Sequence, residues 1–477
     1  MSLRKQALSG MIWSYSQQFG TQIVTFGVLI ILTRLISPAE FGLVGMITIF
    51  MGIGTALFQG GLASSLIRTS EITDEDLSTV FYFNFVGSII IYLCLFLCAP
   101  FIAQFYNQPS LTNITRVYGL SFIFSAFGTI QNTVLSKELK FKKQAVISFP
   151  ALIISSVVGI IMAYNGFGVW SLIASALVNA FILSLILWIT SSWYPTLTFN
   201  KAKFKTHFNY GYKLTLSSIL DTIFTNIYQI VIGKFYSASL VGYYTRANQL
   251  MMLPVGNISG ALNKVIFPLF SKVKDDAPRL KSAYREIMML VLFIITPIIV
   301  LMAVLAKPIV VFLFTEKWIT VVPIFQIIAF TGILYPIHLY NLIILQVKGR
   351  SDLFLKLEII KKILSAIILI ITFFFGFYAL LWGQVFFSIT ALLINTFYAG
   401  KLLDYKMATQ MRDISPIFIF GVIMLIGTFV FDYFISSQQN IIRIVSGILV
   451  GSIIYFTTAY LYKFESIDDL KKLILKK

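Results

Sequence analysis

Cysteine is almost missing from this sequence. Its two thiols, Cys94 and Cys98, stand one helical turn apart in a single apolar run. One helix face gives them nothing to bridge across, so a disulfide framework and a thiolate metal site are excluded, and both are expected to pack as small apolar residues. Histidine is equally scarce, with His207 expected in a loop and His338 expected as a satisfied helix residue. Acid is short as well, 19 Asp and Glu against 37 Lys and Arg, for a net charge of +18. Charged residues total 12%, about half of the ~25% usual in a soluble domain. There is no phosphate-binding GxxxxGK[ST] loop, no zinc-ligand spacing and no GxSxG elbow. These absences argue against energy input by ATP hydrolysis within the chain, and no cofactor or metal is expected.

What the chain has is hydrocarbon. Hydrophobic residues make up 58% of the 477 positions, and aromatics 16%. Apolar runs long enough for helices of about 20 residues, the length that crosses a bilayer, fall near 11–33, 43–65, 80–104, 115–135, 146–164, 170–190, 213–235, 244–270, 286–306, 320–345, 358–377, 379–399, 414–432 and 442–462. The first is of full membrane length and has no small-residue cleavage site, so it reads as a span and not a signal peptide. The expected fold is an all-α polytopic membrane protein of about fourteen transmembrane helices. The longest connection, 191–212, is basic and expected at the membrane surface, and residues 73–79 read as a helix start capped by Thr73 with Asp76 three positions on.

Fourteen crossings put both termini on one side. The termini and even-numbered loops hold 29 of the 37 basic residues; the odd-numbered loops and their flanks hold seven, and Lys264 lies inside a helix. Short Lys- and Arg-rich loops stay cytoplasmic, so both termini are expected in the cytoplasm. This asymmetry accounts for the +18 without nucleic acid.

An internal repeat runs at offsets near 200. LTRLISPAEFGLVGM from Leu32 aligns with IGKFYSASLVGYYTR from Ile232, matching Arg34 with Lys234, Ser37 with Ser237 and Gly42 with Gly242. AKPIVVF from Ala306 echoes APFIAQF from Ala99. Six helices separate the copies, so the halves share an orientation and are related by a pseudo-two-fold axis along the membrane normal. The expected division is an N-lobe at 1–200 (helices 1–6), a C-lobe at 201–405 (helices 7–12), and helices 13–14 with a basic tail at 406–477. Transporters built this way hold substrate between the lobes.

Polar groups in hydrocarbon are costly and mark cavities or partners. Helix 1 carries Ser14, Gln18, Thr21, Gln22 and Thr25; helix 7 carries Ser218, Asp221, Thr222, Thr225 and Gln229. Each set keeps to one helix face, and four positions coincide at the 200-residue offset. They are expected to line an aqueous path, the alternative being interhelical hydrogen bonding. Helix 8 carries Arg246, Asn257 and Lys264 along one face, suited to an anionic head group; the alternative is snorkelling of the two cations to the interfaces. Asp221 and Lys264 fall at similar depth on antiparallel neighbours and are placed to pair, either as a static ion pair or as a switch in which Asp221 couples to H⁺ or Na⁺. Arg34 and Lys234 sit at outer helix ends as anchors, and Glu358, Lys361 and Lys362 at the inner end of helix 11.

Several segments resemble the polysaccharide-exporter branch, of the WzxC type, in the multidrug/oligosaccharidyl-lipid/polysaccharide flippase superfamily. They are LTRLISPAEFGLVGM (32–46), GGLASSLIR (60–68), STVFYFNF (78–85), GFGVWSL (166–172), LVGYYTRANQLMMLPVGNIS (240–259), FPLFSK (267–272) and GRSDLFLKLEIIKK (349–362). The resemblance implies two six-helix lobes, a central cavity and alternating access. It implies export of an undecaprenyl-diphosphate-linked oligosaccharide, a precursor of a surface polysaccharide such as a lipopolysaccharide or teichuronic acid, coupled to a cation gradient. Membrane lipids, a glycan polymerase and other assembly proteins are the implied partners. Arg246 and Lys264 fit the cationic cavity role. Met46 and Ser64, at the matching positions of helix 2, carry no charge, so the cationic face is one-sided. Two other functions fit less well: a cation-coupled drug antiporter of the same fold would favour an acidic cavity, and a membrane-embedded saccharide polymerase or ligase would favour a large outer loop.

Overall fold

The computed structural model describes residues 3–59 and 61–465, with the side chains of 3–12, 14, 15, 59, 261 and 263–265 outside the description. The described residues form seventeen α-helices and one 3-10 turn, with no strand. They fall into two compact units, Met1–Gly242 and Tyr243–Lys477.

The first unit contains α1 (Leu3–Leu35), α2 (Pro38–Gln59), α3 (Leu62–Arg68), α4 (Asp74–Tyr106), α5 (Leu111–Lys137), α6 (Phe141–Tyr164), α7 (Val169–Thr190), α8 (Lys201–Thr225), α9 (Ile227–Phe235) and the first residues of α10 (Ala238–Lys272). α4 packs on α5, α5 and α6 on α7, α1 on α6, and α8 on α2 and α3. The second unit holds the rest of α10, then α11 (Ala277–Val304), α12 (Ala306–Phe314), α13 (Val321–Val347), α14 (Ser351–Phe373), α15 (Phe377–Leu403), α16 (Met407–Phe434) and α17 (Asn440–Leu461). There α13 packs on α15 and α11, and α16 packs on α11 and α17.

Every expected apolar segment falls on helix. Ten helices are long and apolar enough to span, or eleven if the bent pair α8–α9 is one crossing. α5, α10 and α14 lie outside that set; all three carry charged side chains, among them Arg116, Arg246 and Lys361.

Local chemistry sets the boundaries. Thr73 and Asp76 form the expected capping box at the start of α4: the Thr73 hydroxyl accepts from the Asp76 N–H, and the Asp76 carboxylate accepts from the Thr73 N–H at 2.9 Å. The connection expected at 191–212 is shorter than that. Asn200 caps α8 by accepting from the Ala202 and Lys203 N–H groups, so helix begins at Lys201 and His207 is helical, not in a loop. The span expected at 43–65 is interrupted at Gly61. A Cβ there would lie 2.0 Å from the Gly211 carbonyl oxygen, so α8 meets this break backbone to backbone. At Gly52 a Cβ would meet the Thr222 methyl at 2.8 Å. These contacts hold α8 against α2 and α3 within the unit Met1–Gly242.

The repeat is visible in the same unit. α2 starts after Ser37 and α10 after Ser237, each serine contributing to its helix start. A Cβ on Gly42 would lie 1.7 Å from the Ala238 carbonyl oxygen, and one on Gly242 would lie 2.0 Å from the Pro38 carbonyl oxygen. No side chain fits at either place.

Two of the resemblance segments also meet. Glu40 accepts from the Ser37 N–H and hydroxyl through one oxygen, and from the Val169 N–H at 3.2 Å through the other. That second oxygen sits 1.8 Å from where a Cβ on Gly168 would be, and Gly168 has φ +53°. A carboxylate thus ties the start of α2 to the N-terminus of α7, where negative charge is favoured.

In the second unit α17 is close-packed through its GxxxG: a Cβ on Gly447 would meet Leu305 at 2.7 Å, and one on Gly451 would meet Leu301 at 2.4 Å. Cys94 and Cys98 are free and lie on the exposed face of α4, not in its packing.

Candidate functional site

The candidate site begins with the polar face of α1. Gln18 and Thr25 are exposed, and Thr21 and Gln22 half-buried. Polar groups on an exposed face of a span call for water or a polar ligand. Ser14 lies outside the described side chains.

The matching face of the seventh expected helix is broken. α8 ends at Thr225, and α9 leaves at 49° before Gln229 is reached. No proline is present to bend it. Thr222 Oγ1 donates to the Ser218 carbonyl at 2.8 Å, and Asn226 Nδ2 donates to the Thr222 carbonyl at 2.8 Å. Side chains bonding back on the helix in this way bend it and satisfy the freed carbonyls. Thr222 therefore serves the kink and the α2 contact. Asp221 and Thr225 are exposed, while Ser218 and Gln229 are half-buried.

Along α10, Arg246 is buried, 5% exposed, within the second unit. Its guanidinium donates to Gln249 Oε1 at 2.5 Å and lies 5.9 Å from the Trp318 ring centroid. Asn257 is half-buried and donates to the Leu253 carbonyl of its own helix at 2.7 Å. The side chain of Lys264 lies outside the described residues, and with it the expected pairing to Asp221.

Two polar clusters escaped the sequence reading. His207 is buried in α8, its Nδ1 2.8 Å from Ser65 Oγ and its Nε2 3.3 Å from Asp76 Oδ1. Lys203 completes the group by donating to Asp76 Oδ2 at 3.0 Å. The signal was the spacing of Lys203 and His207, one turn apart below an apolar stretch. On α14, Lys361 is 12% exposed at its side chain and pairs with Glu358. On the neighbouring α13 and α15, His338 Nε2 lies 3.1 Å from Ser388 Oγ and Nδ1 3.4 Å from Asn395 Nδ2. Among the described residues no group of three or more His, Cys, Asp or Glu is placed to hold a metal.

Comparison with known proteins places this geometry. The family described as polysaccharide biosynthesis protein matches residues 31–323, more than half of the chain. The chain belongs to that family. Its relatives in the family include the lipopolysaccharide biosynthesis protein WzxC of Escherichia coli, 25% identical over 76% of this chain and 74% of the other. The teichuronic acid biosynthesis protein TuaB of Bacillus subtilis is 26% identical over 74% and 73%. Among solved structures, the lipid II flippase MurJ in an inward closed conformation aligns with a TM-score of 0.79 at 15% identity, over 96% of this chain and all of that one. A multidrug MATE transporter aligns with a TM-score of 0.62 at 16% identity, over 80% and 96%. The chain thus shares the all-helical fold of these two solved structures, and its many long apolar helices are those of a multi-pass membrane protein.

Proposed function

We propose that the protein is a flippase carrying a lipid-linked oligosaccharide, on a polyprenyl diphosphate such as undecaprenyl diphosphate, from the cytoplasmic to the outer leaflet of the bacterial inner membrane. The observation that carries this reading is the fold likeness over 96% of the chain to a flippase of a lipid-linked saccharide, above that to a drug transporter. Membership in a polysaccharide biosynthesis family supports the same substrate class. The saccharide head would pass along the polar faces of α1 and α8, with Arg246 and Lys264 drawing its diphosphate and Asp221 coupling the cycle to H⁺ or Na⁺. The lobes 1–200 and 201–405 would rock in alternating access with 406–477 appended, both termini in the cytoplasm. The contact of α2 with the start of α10 is then one that the cycle must break and remake.

Reconstitution into liposomes with a fluorescent lipid-linked oligosaccharide tests the reading. Protein-dependent loss of the label from the inner-leaflet pool, with no movement of an organic cation, is expected. Organic-cation transport without oligosaccharide movement would move the chain to the antiporter class, and appearance of longer glycans would make it a polymerase.

A further inference from the structure

A second lipid-related feature lies in the first unit, away from the polar faces. α2, α4 and α8 enclose an open, almost wholly apolar groove of about 470 Å³, lined by Phe83, Gly87 and Ile90 of α4 and by Phe208, Tyr212 and Ile219 of α8 among others. The groove exists because glycine withholds side chains. Gly61 and Gly211 press backbone against backbone at its wall, and nothing lies within 4 Å of where a Cβ on Gly87 would be.

From Phe208 to Ile219 the groove follows α8 for about 16 Å, roughly half of a hydrocarbon core about 30 Å thick. It therefore has the reach of one leaflet.

The basic end of α8 supplies the other half of the argument. Lys201 and Lys205 precede Phe208 and Tyr212 by seven residues each, so they stand on the groove's own face of the helix. Both are exposed, and among the described residues neither has an acidic partner. Lys203, between them, is spent on Glu75 and Asp76. Arg68 stands at the same end, its guanidinium 4.8 Å from the Tyr210 ring centroid. Two uncommitted cations at the mouth of an apolar groove are complementary to an amphiphile with a doubly charged head. A polyprenyl diphosphate is such a molecule; a phosphatidylglycerol brings a single negative charge.

We infer that the groove between α4 and α8 is a docking site for the polyprenyl tail of the substrate, with its diphosphate held by Lys201 and Lys205. This rests on the flippase reading and adds to it a place where the lipid waits beside the polar path.

The test uses the full chain in nanodiscs and two photoreactive probes: a sugar-free polyprenyl diphosphate and a phosphatidylglycerol, each with a diazirine in its tail. The polyprenyl probe should label residues 83–91 and 208–219, with no competition from the phosphatidylglycerol. Gly87→Phe fills the groove from a position with open space and removes a helix glycine, so folding should survive. Its labelling should fall tenfold or more, Gly87→Ala should keep most of it, and Lys201→Gln with Lys205→Gln should weaken it severalfold. Labelling that persists in Gly87→Phe, or equal labelling by the phosphatidylglycerol, would overturn the inference. Oligosaccharide flux in the same preparations separates the two claims: normal flux without groove labelling sinks only the docking site, whereas no flux from the wild-type chain sinks the flippase reading itself.

Discussion

Gly42 and Gly242 occupy the same place in two copies of one repeat, and each points its absent side chain at the backbone of the other's helix. Cβ atoms there would lie 1.7 and 2.0 Å from carbonyl oxygens at Ala238 and Pro38. Backbone cannot yield as a side-chain tip can, so the two helix starts must part to admit even a methyl group. Overpacking of this kind costs about 1–3 kcal/mol. Gly42→Val and Gly242→Val should each slow oligosaccharide flux severalfold or more at normal membrane abundance. A cysteine at position 38 or 238 should also become more reactive to a membrane-impermeant maleimide. Unchanged reactivity in both variants would show that the contact governs nothing.

Gly168 and Glu40 make a second tight pair. Gly168→Ala faces both a left-handed backbone and an occupied space, and its strain alone is of order 1–3 kcal/mol. Its melting temperature in detergent should drop. Glu40→Ala should lower it as well, by freeing the Val169 N–H. The double variant should cost less than the sum, because the two changes act on one contact.

The His207 cluster predicts an order of effects. His207→Ala leaves Ser65 and Asp76 with a lost partner in a buried place, worth about 1–3 kcal/mol. Asp76→Ala removes the capping box as well and should destabilise more. Lys203→Ala, at a half-buried position on the rim of the cluster, should destabilise least. A thermal-shift series that placed Lys203→Ala first would contradict this arrangement.

Arg443 on α17 donates to both oxygens of Asp432 on α16 at 2.9 and 2.6 Å, with side chains 11% and 13% exposed. Removing one partner of a buried pair costs about 3–5 kcal/mol. Arg443→Ala should markedly reduce the folded yield, and Arg443→Lys should restore little, since an ammonium cannot reproduce the two-pronged bond.

For transport, Arg246→Ala and Lys264→Ala should each cut oligosaccharide flux tenfold or more. Because Arg246 is buried against Gln249 and Trp318, its removal should also lower thermal stability, an effect not required of Lys264→Ala. Normal flux in both would end the case for α10 as the anion-binding helix.

Most of the helical framework was legible because a span must be apolar over a fixed length, and composition reports that directly. The positions where reading from sequence fell short share a cause. α8 starts before its apolar run, since Asn200 supplies a cap that hydropathy does not weigh. The interruption at Gly61 and the kink at Asn226 come from a neighbour's backbone and from back-bonded side chains, neither of which has a hydropathy signature. The polar stripe of helix 7 was found, but spacing alone could not separate Thr222, spent on the kink, from Asp221, which is exposed. The repeat gave Gly42 and Gly242 as equivalents; only three-dimensional packing reveals that the equivalents touch.

That contact has the form found where identical subunits meet on a two-fold axis: residue i of one copy against j of the other, and j against i. Held inside a single polypeptide, it is what a duplication would leave of a self-associating half-length ancestor. The two copies are then not free to drift apart at this seam, because each must keep fitting the other.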